Sequence, residues 1–327
     1  MHSSSILSIT LGLSLSALAH PTQKRATGRT SAPSGCSTVG SSGDYSTIGA
    51  AIEALGSSTE DACIFVESGT YEEQLTVEYG GALTLYGYTE DTSSYASNAV
   101  TITHSISSSD AGSLDKSSTV NVVSDGFKMY NINVENGYGE GSQAVAFTAN
   151  ADQLSFYGCS FNGYQDTLYA KAGTQYYTNC YISGAVDYIF GDASLWITGS
   201  TVASNGAGAI TAMSREEEDD SSWYVIDSST VTAADDASED LSGQVYLGRP
   251  WRAYARVQFQ NSDLGSIINE EGWTTMADNA EPLYYEYNNS GDGSDTSARK
   301  YETEASGAVD IATVLGSDYT NWVDSSY

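Results

Sequence analysis

The chain of 327 residues carries 42 acidic against 12 basic side chains, a net charge of −30 at pH 7. That charge excludes nucleic acid and anionic membranes as partners, and it admits a polyanionic polysaccharide only when the polymer is esterified or the medium acidic. The length suffices for one sizeable core, and 32 Gly, 24 Tyr and only 4 Pro suit short strands broken by turns.

Residues 1–19 read as a signal peptide. Ile6 to Ala19 is apolar but too short to span a bilayer, and Ala17-Leu18-Ala19 supplies the small residues of a cleavage site. Lys24-Arg25 then offers a dibasic processing site, giving a short propeptide over 20–25 and one secreted, extracellular domain over 26–327. From Asp44 to Leu55 a helix is predicted, because Ile48, Ala51, Ile52 and Leu55 fall at helical spacing behind the capping candidates Asp44 and Ser46. Cys36, Cys63, Cys159 and Cys180 allow three pairings.

A short pattern then recurs six times, running from an apolar residue through a small or polar third position to a closing apolar one. The instances are Met129 to Val134, Phe156 to Phe161, Tyr177 to Ile182, Ile197 to Val202, Ile226 to Val231 and Phe259 to Leu264. Their offsets of 27, 21, 20, 29 and 33 residues are too irregular for a propeller blade but natural for the coils of a solenoid carrying insertions on one side. The fold class predicted is all-β, a right-handed parallel β-helix, with the Asp44 to Leu55 helix capping its open first coil. A second, weaker helix from Val309 to Leu315 is placed near the other end.

GYQDTLY (Gly163 to Tyr169) and VDYIFG (Val186 to Gly191) put Asp166 and Asp187 21 residues apart, one coil length. Rungs stacked ~4.8 Å apart would stand the two carboxylates side by side. Cys159 and Cys180 share another phase of the same coils, which admits either a disulfide or a stacked pair of buried thiols. Taken singly, each Asp also suits a turn that caps backbone N–H groups. Asn288-Asn289-Ser290 is the sole glycosylation sequon.

Other chemistries lack their residues. There is no G-x-S-x-G elbow, and His104 is the only histidine left once the leader is removed. No zinc-binding spacing, phosphate loop or dinucleotide fingerprint occurs, so no metal or organic cofactor is implied. Carboxylate chemistry remains.

With QAVAF (Gln143 to Phe147) before them and LGRPW (Leu247 to Trp251) after, these strings resemble in order the motif set of the pectin methylesterases, or pectinesterases, in particular secreted fungal-like members. GTYEE (Gly69 to Glu73) and the predicted capping helix add to the likeness, which runs from about Cys36 to the last helix. The resemblance implies an ester hydrolase that demethylates homogalacturonan, with pectin as its partner. It implies Asp187 as nucleophile, Asp166 as general acid and then base, Gln143 and Gln165 as oxyanion donors and Arg249 as the partner of Asp187. Phe190 and Trp251 would line the sugar groove. A guanidinium beside Asp187 favours the carboxylate, while a neighbouring anion favours the proton on Asp166. By repeat count Arg249 lies about two coils from Asp187, so its side chain must reach back.

Gln143 and Gln165 also suit an amide ladder. Two other functions fit the fold: a depolymerase, lyase or glycosidase, and a non-catalytic polysaccharide-binding β-helix. A monomer is expected of a secreted enzyme. The acidic surface further predicts best action at mildly acid pH on highly methylated pectin, in a scattered pattern.

Overall fold

The structure, a computed structural model, describes residues 27–327; the expected signal peptide and propeptide lie outside the described residues. Among these, strands stack in parallel into sheets of ten, seven and eight members, and the chain visits the three in turn on each coil. The architecture is a parallel β-helix.

The six repeats are the corners of this solenoid. Met129, Phe156, Tyr177, Ile197, Ile226 and Phe259 pair in register along the ten-stranded sheet. Val134, Phe161, Ile182, Val202, Val231 and Leu264 do so along the eight-stranded sheet. All twelve side chains point inward and are fully buried. Each such side chain contributes roughly 1.5–3 kcal/mol by leaving water. The third position of each unit turns the corner with positive φ: Asn131, Gly158, Asn179, Gly199, Ser228 and Asn261. Left-handed backbone selects Gly and Asn there, which is why that position reads as small or polar.

The insertions cluster at both edges of the seven-stranded sheet. Stretches 105–119, 137–146 and 234–244 precede its strands, 214–223 and 249–255 follow them, and 274–282 follows Trp273, which bridges to Gly248 at the end of its last strand. They rise as walls around its outer face.

The first helix spans Ile48–Ala54 and its cap is Thr47, not Asp44 or Ser46. The Thr47 hydroxyl accepts the Ala50 N–H, and the Glu73 carboxylate takes the Ile48 and Gly49 N–H groups at 2.8 and 2.9 Å. Asp44 instead caps the strand end, accepting from Thr38. Ile48 and Ala51 are buried over the first coil. Cys36 and Cys63 form a disulfide across the first two strands of the ten-stranded sheet, while Cys159 and Cys180 are free, buried thiols.

The last helix, Ile311–Leu315, does not sit at the far end as expected. Its Val314 and Leu315 pack on Trp196, Val225 and Trp322 outside the ten-stranded sheet. Gln258 and Gln260 tether residues 307 and 309 to that sheet. The tail continues along it until Asp324 meets Tyr130 and Tyr157, and Tyr327 meets Asn131. The far end is filled instead by Trp273, stacked 4.1 Å from Tyr284 and bonded to Glu286, whose carboxylate Arg299 clamps at 2.7 and 3.0 Å.

Candidate active site

Asp166 and Asp187 enter the seven-stranded sheet two residues before Leu168 and Ile189, which pair in register. The two acids are therefore neighbours on successive rungs. Both backbones are left-handed, with φ of 64° and 51°, a conformation Asp tolerates better than most residues. The Asp166 N–H donates to Val186 O at 3.0 Å and the Asp187 N–H to Ala209 O at 2.7 Å, so the scaffold fixes both. The two residues are 8 % and 6 % exposed, yet neither carboxylate accepts a backbone N–H among the described residues. They do not act as turn caps.

Arg249 approaches from two rungs away, as the repeat count indicates. Ala212 pairs with Phe190 in the intervening strand, and the Arg249 N–H bonds to Thr211 O. An alanine methyl leaves the path open. The guanidinium then donates Nε to Asp187 Oδ1 and Nη2 to Oδ2, both at 2.7 Å, a bidentate pair. Gly248, just before it, is required by close approach: a Cβ there would lie 2.1 Å from Thr211 Oγ1.

Burial pushes the Asp166 carboxyl up to about 8; the charge of Asp187 adds to the rise and Arg249 opposes it. Arg249 is raised in turn, chiefly by its hydrogen bonds to Asp187. One acid thus holds a proton at neutral pH beside another clamped by a cation.

Gln143, Gln165, Asp166, Asp187, Phe190, Arg249 and Trp251 line one cavity of about 140 Å³. Gln143 comes from the 137–146 wall, where the Ser108 N–H donates to its carbonyl at 2.7 Å and the Ser108 hydroxyl to its Oε1 at 3.3 Å. That turns the amide oxygen toward the wall and leaves the NH2 group unpaired. Gln165 has no side-chain partner among the described residues. No Gln143–Gln165 hydrogen bond forms, so the two do not make a ladder. Phe190 is 2 % exposed and stacks 4.4 Å from Tyr169, with Trp251 5.9 Å away. It is the floor and Trp251 the half-exposed rim.

Leu114, Ala212 and Met276 complete the lining without having been singled out from sequence. Leu114 and Met276 sit on insertions, where no repeat marks a position. Ala212 was findable, since extending the register from Phe190 reaches it. A larger cavity of about 700 Å³ lies under the C-terminal tail, lined by Arg29, Tyr86, Tyr130 and Tyr327. It holds no pair of acids, and Arg29 covers its aromatic floor, 4.8 Å above Tyr86.

Residues 37–309 match the sequence profile of the pectinesterase family. The chain is 67 % identical to a probable pectinesterase A of Aspergillus niger over 100 % of both chains. A crystal structure of the Aspergillus niger pectin methylesterase superposes with a TM-score of 0.91 at 70 % identity, covering 92 % of this chain and 100 % of that one. The carrot pectin methylesterase gives 0.81 at 28 % identity, covering 89 % and 97 %. The chain belongs to the pectinesterase family and is an ester hydrolase.

Proposed function

We propose that the cavity removes methyl groups from the C6 esters of homogalacturonan, with Asp187 as nucleophile and Asp166 as acid and base. An Asp187 oxygen attacks the ester carbonyl carbon, and the NH2 groups of Gln143 and Gln165 hold the resulting oxyanion. Each such donor is worth ~3 kcal/mol in a transition state. Asp166 gives its proton to the departing methoxide, which leaves as methanol, and the acyl group stays on Asp187 as an anhydride. Asp166, now a carboxylate, takes a proton from water; the hydroxide opens the anhydride and frees the galacturonate and Asp187. Arg249 keeps Asp187 oriented, while Phe190, Trp251, Leu114 and Met276 give the sugar an apolar wall that favours an ester over a free acid.

The raised Asp166 beside an arginine-held Asp187 carries this reading. A lyase or glycosidase would shorten the polymer, and a binding module would release nothing. Methanol and acid should appear from a methylated oligogalacturonide at constant chain length. Asp187→Asn should abolish both; retained turnover, or shortened chains, would overturn the assignment.

The same reading makes the protein a secreted monomer whose domain spans 26–327. No described helix is long and apolar enough to cross a membrane. N-terminal sequencing and sedimentation of the exported protein test these points. Asn288 is exposed at the last corner with its side chain bonded to Asn261 at 2.9 Å, and intact mass before and after deglycosylation tests whether it bears a glycan.

A further inference from the structure

Arg252 directly follows Trp251, a residue of the cavity lining, and forms no ion pair among the described residues. Among the described residues, Lys171, Arg249, Arg299 and Lys300 pair with carboxylates. Arg252 is exposed, and its guanidinium lies 5.4 Å from the ring of Trp251. Trp251 lines the cavity that holds Asp166 and Asp187. The position is not a loose tip, because the N–H groups of Trp251 and Arg252 both donate to Met213 O, at 3.1 and 3.3 Å. The scaffold thus presents an unpaired fork of N–H donors against a residue of the cavity lining, on a chain with 42 acids available to neutralise it.

We propose that Arg252 is a specificity residue that binds the free carboxylate of a sugar neighbouring the ester under attack. The inference rests on the pectin-demethylating reading above, in which every turnover leaves one carboxylate on the polymer. A guanidinium matches that product group in a bidentate pair, whereas a methyl ester offers it only a neutral acceptor. Esters next to an already demethylated unit are then preferred, and the first cleavage on a chain directs the second. Contact with Trp251 keeps the guanidinium from folding away into solvent.

The test compares kcat/KM for a fully methylated oligogalacturonide with that for the same oligomer carrying one free carboxylate. The wild type should prefer the mono-acid by up to about fivefold, the size of an exposed ion pair. The preference should vanish in Arg252→Ala, reverse in Arg252→Glu and partly survive in Arg252→Lys. A role confined to propping Trp251 would lower both rates together and leave their ratio fixed, which would overturn the proposal, as would a wild type without preference. Equilibrium binding of the fully demethylated oligomer reads the same contact without turnover, and it should weaken in Arg252→Glu. Absence of methanol from either ester would instead defeat the catalytic reading and leave this binding result to decide on Arg252.

Discussion

Asp166 keeps its proton in the fold to about pH 8, against 3.8 for an ordinary Asp. Between about pH 4 and 8 the native state therefore binds a proton that the unfolded chain has lost. Stability falls as pH rises through that window, and the contribution is fully present only below it. Asp166→Asn removes the dependence. Its Tm should exceed that of the wild type by several degrees near pH 8, with the gap closing toward pH 4, as thermal scans across pH would show. Under the proposed mechanism the same proton should set the alkaline limb of activity, with turnover falling above about pH 8 as the leaving methoxide loses its acid. For Asp187→Asn we expect kcat to fall by about three orders of magnitude or more with folding intact. Arg249→Lys trades a bidentate clamp for a single charge and should cost ~2 kcal/mol, about thirtyfold in kcat/KM. These residues were legible from the one-coil spacing of Asp166 and Asp187 and from the motif order. Ser108, which orients Gln143, was not, because a serine 35 positions away in an insertion leaves no periodic trace.

At the level of elements, the coils declare themselves because each corner needs a left-handed residue between two inward apolar ones. That constraint is local and repeats. Helix ends are set by competition: Thr47 wins the cap because Asp44 is already engaged by Thr38. The last helix was legible in extent but not in place, since its partners Trp196 and Val225 lie on strands far away in sequence. The Cys36–Cys63 bridge closes a loop of 27 residues around the capping helix. By loop entropy it is worth about 3–4 kcal/mol. Cys36→Ala should lose roughly that much in denaturant unfolding while kcat stays unchanged, since the bridge lies on the first coils and the cavity several rungs along. Cys159 and Cys180 should react with thiol reagents only after unfolding.

For the molecule as a whole, a charge of −30 acts over the distance that salt allows. A long demethylated stretch should be repelled by the surface even where Arg252 binds one carboxylate. KM for low-ester pectin should therefore fall as salt rises, while KM for fully methylated pectin changes little. Equal salt responses would show that the surface charge serves only solubility. The expected product is short demethylated runs scattered along the chain.

The tail that crosses the ten-stranded sheet also bears on biosynthesis. Residues near 130 and 157 emerge from the ribosome long before Asp324 and Tyr327, which supply partners to Tyr130, Tyr157 and Asn131. The early coils can stack as they are made, yet one flank stays uncovered until the tail has been made. Docking of this tail is thus a late folding event, and a polypeptide cut before Asp324 would be left as an unlatched solenoid.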